Sequence, residues 1–164
     1  MSAAEELKRG MLREPRWTLA VAESLTAGNL QAAVTSVSGA SGFFLGGVTA
    51  YSLEQKVRLL GVERGLAEAT NCVAREVAEQ MARGVCELFG AEVGAATTGY
   101  AEASAEAGVA VPFAWWAVAW KNGGNFVMRS GREECAGATR VEVQRRVAAA
   151  VLAELGRAVG EWRK

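Results

Sequence analysis

The stretch Ala20–Asn29, AVAESLTAGN, decides the fold because it changes from a strand pattern to a helix pattern within a few residues. Small apolar residues run into Glu23 and Ser24, and a Thr-Ala-Gly turn then leads into a helical pattern. In α/β folds, ligand sites lie beyond the carboxyl ends of the strands. We therefore predict a candidate site at Ser24, with Ser24 or Thr26 as the cap of the next helix.

The rest of the chain continues this alternation of strands and helices and adds one hairpin, whose turn is Lys-Asn-Gly-Gly at 121–124. The order predicts an α/β protein of three layers, with a mixed, mostly parallel sheet and helices on both faces. Residues 1–164 are predicted to form a single domain, with 1–16 as an N-terminal helical extension. The predicted strands are 17–24, 47–52, 91–99, 113–120 and 125–130, and the main predicted helices are 3–13, 52–60, 74–89 and 138–162, with a further helix that ends at Ser36.

Composition excludes several functional classes. The 18 basic and 18 acidic residues balance, so the chain lacks the positive charge of a nucleic-acid-binding protein. No apolar run approaches the roughly 18 residues that a membrane span needs, and the three cysteines form no CxxC motif. These features predict a soluble, cytoplasmic protein without membrane or nucleic-acid partners.

The absence of two residue types restricts the chemistry further. The chain contains no histidine and no aspartate. This composition excludes Ser-His-Asp and Cys-His triads and disfavours a zinc site, so we expect no metal. Any proton transfer must use Glu, Lys, Tyr, Cys or water.

Polar residues at three predicted strand ends suggest what this chemistry is. They are Glu23-Ser24, Tyr51-Ser52 and Thr98-Gly99, and Lys56 follows on a short helix. A desolvated lysine loses its proton more easily and can act as general base to a serine, with a tyrosine as relay. The alternative is structural: Ser24 caps a helix, and Lys56 lies on a surface turn. With either assignment, the amides of Leu25–Gly28 would face the crevice.

The same residues resemble a known family. AESLTAG at 22–28 is similar to the AESCTGG signature of the CinA C-terminal domain, the nicotinamide-nucleotide amidase family. The likeness continues through GASGFFLGGVTAYSLEQKVRLLGV, REVAEQMARG and the TTG of Thr97–Gly99, and it covers roughly Thr18 to Ala153.

The resemblance implies hydrolysis of the carboxamide of nicotinamide mononucleotide to nicotinic acid mononucleotide and ammonia, without a cofactor. It implies Ser24 as nucleophile and Tyr51 and Lys56 as the pair that handles the proton. The substrate-binding residues expected with them are Glu23, Thr26, Gly28, Thr98, Gly99 and Arg140. A surplus of large aromatic side chains late in the chain predicts a homodimer or higher homo-oligomer.

Several residues depart from the family pattern. The family's Gly-Pro in the loop after the TTG motif is Glu102-Ala103, a change that replaces the glycine and the proline that set the path of the backbone there. Smaller departures are Leu25, Ala27, Ala74 and Gln144. The larger proteins of the family carry an additional N-terminal domain, which we do not expect within these 164 residues. The alternative function is therefore a degenerate homologue that binds a nucleotide-like ligand or a protein partner without turnover. A third possibility, a competence factor that binds nucleic acid, is disfavoured by the zero net charge.

Overall fold

A five-stranded mixed sheet organises the chain, of which the computed structural model describes residues 1–164. The strand order is β2-β1-β3-β4-β5; β1 pairs in parallel with β2 and β3, and β3, β4 and β5 are antiparallel. The predicted mixed α/β class is confirmed, with two parallel and two antiparallel pairings. The strands are β1 Leu19–Glu23, β2 Phe44–Thr49, β3 Val93–Tyr100, β4 Phe113–Asn122 and β5 Asn125–Glu134.

Six helices cover both faces of this sheet. They are α1 Ala3–Leu12, α2 Asn29–Val34, α3 Leu53–Leu60, α4 Arg64–Thr70, α5 Arg75–Phe89 and α6 Arg140–Trp162. The sequence prediction missed α4, because its seven residues are too few to show a helical period; its N-cap is Glu63, whose carboxylate accepts from the amides of Gly65 and Leu66. None of these helices combines the length and apolar character that a bilayer crossing requires.

The sheet separates two cores, and β1 contributes side chains to both. Leu19 and Val21 belong to the core under α1, α2 and α6, and Ala20 and Ala22 belong to the core under α3, α4 and α5. Side chains alternate between the faces of a strand, so a strand covered on both faces is apolar throughout. This is why 19–22 show no polar alternation.

The N-terminal helix is part of the first core. Leu7 and Met11 are fully buried, and α1 packs along α6. Residues 1–16 therefore contribute to the core of the domain, although the sequence predicted them as an extension to it.

Close packing of α5 against α3 fixes the element that carries Lys56. A Cβ atom added at Gly84 would lie 1.9 Å from the carbonyl oxygen of Leu60, so only glycine fits at this contact. The approach of α5 thereby restrains the C-terminal end of α3, whose N-terminal half faces the strand ends.

The large aromatic side chains are used within the chain. Trp116 lies in the first core, while Trp115 lies against the second core with Arg75 over its ring. The ring of Trp120 lies 4.8 Å from that of Trp17 and 5.7 Å from that of Trp162. These tryptophans pack within one chain and are therefore weaker evidence for a subunit contact. The homo-oligomer stays a prediction.

Candidate active site

The carboxyl ends of the three parallel strands bring the predicted site residues together. The register pairs Glu23 with Thr49 and Ala22 with Ala96, and its continuation places Ser24 level with Ala50 and Thr98. The connection after β1 crosses one face of the sheet, through α2, and the connection after β2 crosses the other, through α3, α4 and α5. The point where successive connections change face is the usual position of the ligand crevice in such sheets.

Ser24 and Lys56 form the centre of the site. The Lys56 Nζ atom lies 2.9 Å from Ser24 Oγ, and it also donates to the carbonyl oxygens of Ala50, at 2.9 Å, and Tyr51, at 3.1 Å. Lys56 is only 2% exposed, and no carboxylate contacts it. Burial lowers the pKa of Lys56, while the neighbouring Cys72 acts weakly in the opposite direction. The site therefore favours the neutral amine more than water does.

The two carbonyl oxygens also orient the lone pair of that amine. A neutral amine has two N–H donors and one lone pair, whereas an ammonium has three donors. With its two N–H groups on Ala50 and Tyr51, neutral Lys56 presents its lone pair to the hydroxyl of Ser24. The same three contacts satisfy the ammonium once it accepts a proton. The geometry thus supports both protonation states of a general base.

The turn after Ser24 offers free backbone donors. The amide of Ala27 donates to the carbonyl of Ser24, and the turn closes with positive φ angles at Ala27 (44°) and Gly28 (96°). The N–H groups of Leu25 and Thr26 donate no hydrogen bond within the chain. A free amide beside a nucleophile is an element of an oxyanion hole, and of these two residues Leu25 lines the cavity described next.

These groups open into a cavity of about 410 Å³, hereafter the site cavity. Two tyrosines, Tyr51 and Tyr100, line it, and its only charged residues are Lys56, Glu102 and Arg140. Residues used below that line it are Ser24, Tyr51, Lys56, Cys72, Thr98, Gly99, Tyr100, Glu102 and Arg140.

Tyr51 is placed differently from its predicted role. Its side chain is 57% exposed, and its hydroxyl accepts from Nη2 of Arg140 at 2.9 Å. No hydrogen bond joins this hydroxyl to Lys56 or Ser24; Tyr51 contacts Lys56 through its backbone carbonyl. A proton relay through the phenol is therefore not supported by this geometry. The reason is that β2 ends at Thr49, so that Tyr51 lies past the strand and its ring turns outward.

Three predicted substrate-binding residues do not line the site cavity. Glu23 is fully buried, and its carboxylate accepts from the amides of Leu30 (2.8 Å) and Gln31 (3.1 Å) at the start of α2. Thr26 is buried against Thr97, and Gly28 is the N-cap of α2 without a side-chain cap. The predicted cap at Ser24 or Thr26 is therefore wrong, since Glu23 supplies the acceptor. All three residues shape the turn that carries Ser24.

The other three predicted binding residues do line the site cavity. Thr98 is buried, and its hydroxyl donates to the carbonyl of Cys72 at 2.6 Å. A Cβ at Gly99 would lie 2.4 Å from the carbonyl oxygen of Phe113, so glycine is required next to β4. Arg140, at the first position of α6, donates from Nη1 to the Glu102 carboxylate at 2.9 Å.

Thr97 was not among the predicted site residues, although it belongs to the TTG motif that supplied two of them. Its hydroxyl oxygen accepts from the amide of Ser24 at 3.3 Å and lies 2.8 Å from that of Thr26. Thr97 thus holds the nucleophile's backbone and the following turn to β3. Its position next to Thr98, in a motif at the end of a predicted strand, could have indicated this role from the sequence.

Comparison with known proteins agrees with this architecture. The family model of the CinA C-terminal domain matches residues 2–159. A CinA-like protein of Chlorobium limicola is 40% identical over 92% of this chain, and one of Chlorobaculum tepidum is 47% identical over 59% of it. The chain spans about a third or less of these relatives' length: the alignments cover 35% and 23% of them.

Solved structures extend the agreement to the whole chain. A CinA-superfamily protein from Klebsiella pneumoniae superposes with a TM-score of 0.86 at 25% identity, covering 99% of this chain and 100% of the other. The competence/damage-inducible protein CihA from Agrobacterium tumefaciens gives a TM-score of 0.79 at 26% identity, covering 96% and 95% of the two chains. The family-model match over nearly the whole chain, together with the superposition on these solved structures, establishes that the chain belongs to the CinA C-terminal domain family.

Proposed function

We propose that this protein is an amidohydrolase that converts the carboxamide of nicotinamide mononucleotide into the carboxylate of nicotinic acid mononucleotide, releasing ammonia. The observation that carries the proposal is the 2.9 Å contact between Ser24 Oγ and the amine of the buried Lys56. A serine beside a desolvated lysine is a nucleophile with its base, and such pairs carry out acyl transfer without histidine.

In the first half of the reaction, Ser24 Oγ attacks the amide carbon while its proton passes to the Lys56 lone pair. The carbonyl oxygen becomes an oxyanion, which the free N–H group of Leu25, a residue of the cavity lining, stabilises. Lys56 then gives its proton to the amide nitrogen, the C–N bond breaks, and ammonia leaves. An ester between the acyl group and Ser24 remains.

In the second half, a water molecule attacks this ester with Lys56 again as general base. The ester bond breaks, the proton on Lys56 returns to Ser24 Oγ, and the acid product leaves. One amide and one water yield one acid and one ammonia, so no metal or organic cofactor enters the balance.

The site cavity has a suitable size for such a substrate. Its volume of about 410 Å³ lies within the roughly 300–1,000 Å³ range of small-molecule sites. Tyr100 offers an aromatic wall, and its hydroxyl accepts from the amide group of Asn71 at 3.1 Å. All three cysteines are unpaired and buried, which is consistent with a reducing compartment, and we place the activity in the cytoplasm.

The second candidate function is ligand binding without turnover. The observation that favours it is the ion pair between Arg140 and Glu102, which occupies an arginine otherwise available to a ligand anion. In this case the Ser24–Lys56 pair would be a structural remnant.

Ammonia release from nicotinamide mononucleotide, measured with the wild-type protein and with Ser24→Ala, separates the two functions. The amidase releases ammonia with the wild type only. A wild type that binds the nucleotide in calorimetry but releases no ammonia, even above pH 9, contradicts the amidase and supports the binding protein.

A further inference from the structure

The charged groups of the site cavity are arranged so that they cancel. Arg140 bridges two acceptors, the Glu102 carboxylate at 2.9 Å and the Tyr51 hydroxyl at 2.9 Å. The only other charged residue of the lining is Lys56, which is buried behind Ser24 and bonded to backbone carbonyls. With Lys56 neutral, the cavity carries one positive and one negative charge, and the positive charge is already paired.

This arrangement affects a phosphate and a cationic ring in opposite ways. A phosphate that binds Arg140 must either displace the Glu102 carboxylate or share the guanidinium with it, and the negative charge of Glu102 opposes its binding in both cases. A pyridinium ring attached to an uncharged sugar meets no such competition, and the Glu102 carboxylate attracts it. Charge complementarity of this kind determines specificity more than affinity.

We infer that Glu102 is a specificity-determining residue, which neutralises Arg140 and lowers the preference of the site cavity for the mononucleotide over the same amide nucleoside without its 5′-phosphate. This inference rests on the proposed function and refines its substrate class. Both residues are partly exposed, with 65% of the Glu102 side chain and 45% of the Arg140 side chain accessible. An exposed ion pair contributes little to stability, so Glu102 can be replaced without loss of the fold.

The decisive measurement compares two substrates, nicotinamide mononucleotide and the corresponding nucleoside, which differ only in the 5′-phosphate. For each, kcat/KM for ammonia release is measured with the wild type and with Glu102→Gln. The ratio of nucleotide to nucleoside is expected to rise about five- to tenfold in Glu102→Gln, because the variant removes one negative charge a few ångströms from the phosphate.

Two matched variants test the cause. Glu106→Gln removes the same charge from the same loop, at a residue that makes no hydrogen bond to Arg140, and is expected to leave the ratio within twofold. Adding Arg140→Gln to Glu102→Gln is expected to cancel the gain. A rise below fivefold in Glu102→Gln, or an equal rise in Glu106→Gln, overturns the inference.

A binding arm keeps this test independent of turnover. The dissociation constants of the same two amides are measured by calorimetry with Ser24→Ala and with Ser24→Ala/Glu102→Gln, and their ratio is expected to shift by the same factor. If no protein releases ammonia from either amide but the binding ratio shifts, the proposed amidase fails while the role of Glu102 stands. If ammonia is released and neither ratio shifts, the amidase stands and the role of Glu102 fails.

Discussion

Replacing Lys56 by methionine removes the proposed base while keeping a long, unbranched side chain of similar volume. The amine contacts only Ser24 Oγ and two backbone carbonyls, so the change should act on turnover and hardly on ligand binding. General-base catalysis typically contributes about 10²–10⁴ in rate, and we expect kcat to fall by at least that factor. The dissociation constant measured in the Ser24→Ala background should change by less than about threefold, since no substrate contact is lost.

The contacts of Lys56 also give the expected effect on stability. Without the amine, the carbonyls of Ala50 and Tyr51 lose a hydrogen-bond donor. Each carbonyl that no water molecule reaches lowers the free energy of unfolding by about 1–3 kcal/mol. Removal of a buried polar amine offsets part of this cost. The free energy of unfolding at pH 7 should therefore fall by no more than about 4 kcal/mol.

The pH dependence has a defined sign. Because burial lowers the Lys56 pKa from its ordinary value of 10.5, kcat should rise with pH up to the lowered pKa and then level off below 10.5. Between the two pKa values the unfolded lysine holds a proton that the folded one does not, so the stability contributed by Lys56 also rises with pH there. Lys56→Met should lack both effects.

Ammonia release and urea unfolding between pH 6 and 10.5 check these expectations, with Lys121→Met as control. Lys121 is a partly exposed lysine whose amine lies 3.6 Å from Glu87, far along the sheet from the strand ends. A Lys56→Met variant that keeps more than a tenth of wild-type kcat would refute the role of Lys56 as base. A wild-type rate that is flat from pH 6 to 10.5 would refute it as well.

Three further substitutions test the other parts of the site. Ser24→Ala should abolish ammonia release and leave the calorimetric affinity within about threefold, because the hydroxyl is required only for the covalent step; residual turnover above a hundredth of wild type would argue against the nucleophile. Tyr51→Phe should lower kcat by less than about threefold, since its hydroxyl bonds Arg140 and not Lys56; a loss of about 10² or more would restore the predicted relay. Glu23→Gln should lower the free energy of unfolding, measured with urea, by about 1.5–3 kcal/mol, because a neutral amide forms weaker hydrogen bonds with the first N–H groups of α2 than a carboxylate does. An unchanged free energy of unfolding would contradict the capping role of Glu23.

Sequence reasoning located the main elements and the central pair of the site. The run of small apolar residues up to Glu23 predicted β1, and the helix predicted at 52–60 is present as α3, with Ser52 as its N-cap and Gly61 as its C-cap. Because parallel strands bring their carboxyl ends to one edge, residues after β1 and β2 were expected to meet, and Ser24 and Lys56 do. These features depend on local periodicity and on a general rule of sheet topology, both of which are encoded in short windows of sequence.

The orientation of the polar side chains was decided only by the tertiary structure. Glu23 and Ser24 are adjacent in sequence, but alternation along the strand sends the first carboxylate beneath α2 and the Ser24 hydroxyl into the site cavity. Similarly, Lys56 obtains its lone-pair direction from two backbone carbonyls, and Arg140 meets Glu102 across 38 residues of sequence. Residue types limit which contacts are possible, whereas the choice among them depends on differences of a few ångströms that arise when β1, β2, β3 and α6 pack together.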